Sequence, residues 1–161
     1  MLLHSNFKAR KHSQDLLKKM FKWDSSKMTI CLCDYVNSSA IDNSGIKLQS
    51  EIQGEIEWPS PKGLIEFVYT LANIKNLTAS ELEAISLKCL ILCNSKLAKR
   101  VDKNLFKKFI HKIIDNNKTT VNMSVQDLLA HKKDEIIQLV TTGQFLSEVR
   151  FFIIQFLLIN F

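Results

Sequence analysis

The residues best suited to chemistry in this chain include four cysteines, and their spacing limits what they could do. Cys31 and Cys33 lie in a short run typical of a β-strand, and Cys89 and Cys93 lie four apart in an apolar helical run. Each pair would present both thiols on one face. Four thiolates brought together could bind zinc. The C-x2-C spacing of zinc knuckles is absent, and both pairs stand among apolar residues, where cysteine packs as a small hydrophobe. We expect no metal.

The histidines offer the other possible reaction centres. His111 precedes Asp115 by four residues, and His131 precedes Asp134 and Glu135, so each could meet an acid on a helix surface. Neither pair has a nucleophile in its sequence context. The four glycines stand alone, so there is no phosphate loop or dinucleotide fingerprint. These patterns favour a non-enzymatic protein without a cofactor.

Positive charge is concentrated in two blocks, although the chain's net charge is only +6. Such blocks attract phosphate in nucleic acid or on anionic lipid headgroups. The first block is the candidate site for a membrane or a nucleocapsid: Lys8, Arg10, Lys11, Lys18, Lys19 and Lys22. The second is the candidate site for phosphate or nucleic acid: Lys96, Lys99, Arg100, Lys103, Lys107, Lys108 and Lys112. The second block lacks exposed aromatic residues for base stacking, which favours non-specific RNA binding over sequence readout.

The elements that must position these blocks begin with a helix over residues 8–22. Its apolar stripe is short and flanked by lysines: Leu16, Leu17, Met20 and Phe21. This pattern fits either a basic amphipathic arm that lies on a membrane or grips a partner, or a first helix docked by its stripe with solvated lysines outside.

Two strands are expected next. Residues 28–36 are rich in β-branched and aromatic side chains. Residues 46–58 alternate between apolar and polar side chains with a period of two, which predicts a long half-buried strand with an acidic outer face. We expect the two to pair as an antiparallel hairpin over residues 28–58.

Helices are expected over the rest of the chain. Residues 78–100 begin with a capping box at Thr78 and Glu81 and are apolar on every side from Ile85 to Cys93, which predicts a buried central helix. Further helical patterns follow Gly63, span 103–114 and start at Ser124. The apolar run 151–161 is too short to cross a bilayer by itself and fits a core helix, an oligomer contact or the start of a longer segment.

The predicted fold is therefore α+β, mainly α. An N-terminal basic arm or helix (1–22) precedes a single globular domain (23–161), which holds the hairpin (28–58) and about five helices (64–161) around the central helix. The start of the chain has no apolar core typical of a signal peptide. We expect an intracellular protein that is not secreted, with reduced cysteines.

Residues 46–95 resemble part of a known family. A strand ending in Trp58-Pro59-Ser60-Pro61-Lys62-Gly63 and running into an apolar helix is similar to the early core of rhabdovirus-type matrix proteins, which also carry a lysine-rich arm ahead of a compact domain. The resemblance implies a small virion protein that meets the inner membrane leaflet, condenses nucleocapsid and self-associates. This sequence lacks the Pro-Pro-x-Tyr budding motif that is often found in the family.

These observations lead to one functional expectation and two alternatives. The first is a non-catalytic, matrix-like viral assembly protein that binds anionic lipid or nucleoprotein and forms homo-oligomers in host cytoplasm, nucleus or virion. The alternatives are a non-specific RNA-binding nucleoprotein or polymerase cofactor, and a helical protein that binds a host factor.

Overall fold

The computed structural model describes residues 2, 6–38, 61–93 and 104–141, and these form a helical protein. Helices account for 82% of the described residues, which contain no strand. The α+β prediction is therefore wrong for this part of the chain. The part described belongs to the all-α class.

Seven helices are labelled here in chain order. Their bounds are α1 Phe7–Trp23, α2 Ser25–Ser38, α3 Pro61–Ala72, α4 Ala79–Cys93, α5 Leu105–Asn117, α6 Val125–His131 and α7 Lys133–Thr141. The first five form a closed ring of neighbours in the order α1, α2, α4, α5, α3, and α3 also contacts α4 across the ring. The helix α6 packs on α5, and α7 on α6.

The first predicted strand is a helix. β-Branched and aromatic residues favour a strand over 28–36, yet Thr29, Leu32 and Val36 are buried at helical spacing and face the core. Asp24 starts this helix, because its carboxylate accepts the Lys27 N–H at 2.9 Å. Local strand propensity spans only about 1 kcal/mol, so burial of one helical face against α1 and α4 outweighs it. The predicted hairpin therefore lacks its first strand.

Three other predicted features fall outside the described residues. They are the alternating strand over 46–58, the basic end of the central helix from 94 to 100, and the apolar run over 151–161.

The predicted central helix is confirmed from Ala79 to Cys93. Its capping box is formed, since the Thr78 N–H donates to the Glu81 carboxylate at 2.9 Å and the Glu81 N–H donates back to Thr78 Oγ1 at 3.4 Å. α4 contacts α2, α3 and α5, and its side chains are buried on most sides. A helix that is apolar all round requires such an enclosed position.

Glu81 does more than cap α4. Its other carboxylate oxygen accepts the hydroxyls of Ser25 at 3.0 Å and Ser26 at 2.8 Å, which ties the start of α2 to the start of α4. Burial alone would raise the pKa of Glu81, but the hydrogen bonds from Thr78, Ser26 and Ser25 outweigh it and hold the pKa below its ordinary value. Glu81 is therefore held as a carboxylate.

The loop between α3 and α4 is fixed by two asparagines at the end of α5. The Asn117 side chain is fully buried; its oxygen accepts the Leu77 N–H at 3.0 Å, and its nitrogen donates to the carbonyls of Ile74 at 2.9 Å and Ile113 at 2.8 Å. Asn116 donates to the Ala72 carbonyl at 2.7 Å. The helical pattern predicted over 103–114 therefore ends too early, since α5 continues to Asn117.

Two short helices close the described part of the chain. Ser124 and Asp127 form the capping box of α6, which confirms the predicted start of this helix. The single helical pattern that starts at Ser124 is divided at Lys132 into α6 and α7. Leu128, Leu129 and Ile136 extend the core beyond α5.

Asn117→Ala should destabilise the protein by about 2–4 kcal/mol, because it leaves the buried Leu77 N–H and Ile74 carbonyl without a partner. Urea unfolding measures the change. The exposed Asn122 is the matched control, and Asn122→Ala should change the free energy of unfolding by less than about 0.5 kcal/mol. Equal effects at the two positions would contradict the bracing role of Asn117.

Glu81→Gln should cost about 1 kcal/mol at neutral pH, because hydrogen bonds to a carboxylate are stronger than those to an amide. Since the pKa of Glu81 is lowered in the folded state, the stabilisation is complete above its ordinary value of 4.5 and is lost as pH falls through the folded pKa. The stability difference between the two proteins should therefore shrink between pH 7 and pH 3 in urea unfolding. A difference that does not vary with pH would show that charge is not involved.

Candidate anion-binding surface

The helix α1 separates its residues into two faces. Arg10, Gln14, Leu17 and Phe21 are buried at spacings of four, three and four, and they pack towards α2 and α3. The opposite side carries five lysines, called the lysine face here: Lys8, Lys11, Lys18, Lys19 and Lys22. Asp15 is the only acidic residue in α1, so this surface has a net charge of +4. The structure thus shows α1 as a docked helix with its lysines outside.

Arg10 is set apart from the rest of the first basic block. Its side chain is only 3% exposed, and its Nε lies 2.7 Å from Oε2 of Glu66 on α3. The guanidinium also lies over the ring of Phe7, with 5.7 Å to the centroid. Arg10 therefore anchors α1 to α3 and does not contribute to the exposed charge. Its position on the same 3.6-residue stripe as Leu17 and Phe21 was the sequence signal for this.

An open cleft of about 730 Å³ adjoins the end of the lysine face. One side is formed by Lys18, Lys22 and Trp23 of α1, and the other by Asn73, Lys75 and Asn76 of the α3–α4 loop. We call it the Trp23 cleft. Sequence reasoning missed Trp23 and Lys75, because they are distant in the chain and neither belongs to a charge block.

Trp23 is an unusual surface residue. Its side chain is 80% exposed at the last position of α1, although tryptophan is highly buried on average. Leu16, two helical turns before Trp23, is also exposed, at 46%. The lysine face therefore combines charge with two accessible apolar side chains, a composition found in surfaces that rest in a membrane interface.

The second basic block is described only in part. Lys107 and Lys108 are exposed on α5, and Lys112 Nζ lies 5.3 Å from the centroid of the Tyr69 ring. The cation–π contact holds Lys112 against α3. Lys96, Lys99, Arg100 and Lys103 lie outside the described residues.

The thiols are not brought together as a metal site. Cys89 and Cys93 are buried with their sulfur atoms 3.8 Å apart, and burial raises the pKa of Cys89 well above its ordinary value. Cys31 is exposed and Cys33 half-buried on α2, where residues two apart point in different directions. Within residues 6–38, 61–93 and 104–141, no group of three or more histidine, cysteine or acidic side chains could hold a metal.

The histidines occupy surface positions. His131 Nδ1 lies 2.8 Å from Glu83 Oε1, which links α6 to α4, whereas the sequence suggested Asp134 or Glu135 as its partner. His111 is exposed on α5. The hydrogen bond and ion pair with Lys118 hold the pKa of the nearby Asp115 below its ordinary value.

Neither similarity to known proteins nor the length of the helices assigns a function to this chain. No protein-family model, curated protein or solved structure matches this chain. None of the helices in the described ranges combines the length and apolar character needed to traverse a bilayer.

Arg10→Gln should destabilise the protein by about 2–4 kcal/mol, because it leaves Glu66 without its cation in a partly buried position. Its exposed neighbour provides the control: Lys11→Gln should change the free energy of unfolding by less than about 0.5 kcal/mol. Thermal or urea unfolding measures both. Comparable stability of the two variants would contradict the anchoring role of Arg10.

Proposed function

We propose that this protein is a non-catalytic assembly or adaptor protein that binds an anionic membrane surface through the lysine face. The observation that supports this most directly is the division of α1 into a face docked in the core and a face with five outward lysines. A docked helix fixes the backbone positions of its lysines on one side of the protein, so their charges can act together on a charged surface.

Electrostatic attraction of this kind has a known scale. Each lysine near an anionic leaflet contributes about 1 kcal/mol, and the effect falls off within a Debye length of about 8 Å at physiological salt. Leu16 and Trp23 supply apolar contact at the same surface. The lysine face is therefore suited to reversible, salt-sensitive association.

A matrix-like role in a virion extends this proposal. It is supported by the resemblance over residues 46–95 and by the lysine-rich first helix. Self-association belongs to the same proposal; the segments from which it was inferred, the strand over 46–58 and the run over 151–161, lie outside the described residues.

Non-specific RNA binding by α5 is the second candidate. Lys107 and Lys108 are exposed on its outer side, which favours contact with phosphates. An electrophoretic shift that weakens steeply with salt and is lost in Lys107→Gln/Lys108→Gln would favour it over membrane binding.

Lys8→Gln/Lys11→Gln/Lys19→Gln should weaken binding to phosphatidylserine vesicles about a hundredfold, from about 1 kcal/mol for each lysine. Vesicle flotation at low salt measures the partition coefficient. The matched control is Lys27→Gln/Lys62→Gln/Lys118→Gln, which removes the same charge from exposed lysines outside the lysine face and should retain most of the binding. Failure of the unaltered protein to float, or equal losses in both triple variants, would refute the proposal.

A further inference from the structure

We infer that the Trp23 cleft is a binding site for a multiply phosphorylated organic headgroup. This inference deepens the proposed function, since it assigns a specific ligand class to one end of the lysine face. The observation that carries it is the convergence of three lysines from two distant segments on one concave space beside an exposed indole.

The charge lining the cleft is of one sign. Lys18, Lys22 and Lys75 line it, and among the described residues no carboxylate does. Lys18 has a weak partner in Asp15 at 3.6 Å, with both side chains exposed. Within the part of the chain described, no acidic side chain lies within ion-pair distance of Lys22 or Lys75. Like charges repel, so three ammonium groups around one space favour an anion with several charges.

The cleft also supplies hydrogen-bonding groups. Asn73 and Asn76 lie on its loop side, and the Asn73 side-chain nitrogen also donates to the Tyr69 carbonyl at 2.7 Å. These groups suit phosphate oxygens, which accept several hydrogen bonds at once.

The size of the cleft and the exposed indole of Trp23 indicate that the ligand is an organic phosphate ester. The volume of about 730 Å³ lies within the range of about 300–1,000 Å³ common for small-molecule sites. Trp23 is 80% exposed at the rim, where its ring can pack against the carbon skeleton of a bound ester. The ligand class is therefore a compact carbon skeleton with two or more phosphates, either free or as a lipid headgroup.

The backbone of the loop sets the position of Lys75. Asn76 adopts a left-handed conformation with φ of 62°, and the adjoining residues are held by Asn117. The same segment follows the end of α3, whose last carbonyls attract cations. A purely structural role for Lys75 at this helix end is therefore the alternative to exclude.

A substitution of Lys75 tests the cleft independently of the lysine face, because Lys75 lines the cleft but lies outside α1. The soluble probe is inositol 1,4,5-trisphosphate, titrated by calorimetry into the full chain. We expect saturable binding that weakens about threefold to tenfold in Lys75→Gln, the loss of one of three ammonium contacts. The exposed Lys62 lies outside both surfaces, and Lys62→Gln should bind as the unaltered protein does.

Tryptophan fluorescence provides a second readout. In a Trp58→Phe variant Trp23 is the only tryptophan, and the probe should shift or quench its emission with the same affinity that calorimetry gives. Absence of saturable binding, or equal weakening in Lys75→Gln and Lys62→Gln, would overturn the inference. So would a Lys75→Gln variant that loses thermal stability and keeps its affinity, because that is the signature of helix-end stabilisation alone.

Vesicles distinguish the two sources of the ligand. If the headgroup is lipid-borne, vesicles containing phosphatidylinositol 4,5-bisphosphate should bind more tightly than phosphatidylserine vesicles of equal charge, and only the former should depend on Lys75. If it is free, the soluble probe alone should depend on Lys75. If the unaltered protein binds inositol trisphosphate but does not bind phosphatidylserine vesicles, the proposed function is refuted and this inference stands.

Discussion

The buried side-chain amide of Asn117 is the contact on which the central part of the structure depends. The chain must turn between α3 and α4 inside a packed interface, and buried backbone groups there require partners. The Asn117 side chain accepts the Leu77 N–H and donates to the carbonyls of Ile74 and of Ile113 in its own helix. The helices α3, α4 and α5 therefore meet at one point. The same contact fixes the loop that carries Lys75 and Asn76 to the Trp23 cleft.

The first helix uses its two kinds of cationic side chain in opposite ways. Arg10 is buried against Glu66, where a planar guanidinium can satisfy a carboxylate and lie over the Phe7 ring. The lysines stay outside, where a strongly hydrated ammonium on a flexible stem is stable in water and free to meet a partner. Different residues of α1 therefore dock the helix and carry its exposed charge.

Several elements were predictable because their signals are local. The capping boxes of Thr78 and Ser124 and the all-round apolar surface of α4 each lie within a few consecutive turns. The apolar stripe predicted for α1 is correct at Leu17 and Phe21, which are buried, but wrong at Leu16, which is exposed. The strand predicted at 28–36 was wrong for the opposite reason. Its composition favours a strand, but Thr29, Leu32 and Val36 are all buried, and only a helix places residues at this spacing on one face.

The sequence by itself determined where charge is concentrated, that α1 and α4 are helices and that α4 must be buried, because these properties follow from composition and period. Only the tertiary structure decided that Arg10 pairs with Glu66, 56 residues later, that Asn117 braces a loop 40 residues earlier, and that Lys75 joins Lys18 and Lys22 at one cleft with Trp23. These juxtapositions depend on how helices pack across the ring, and no local pattern encodes the distance between residues so far apart in the chain.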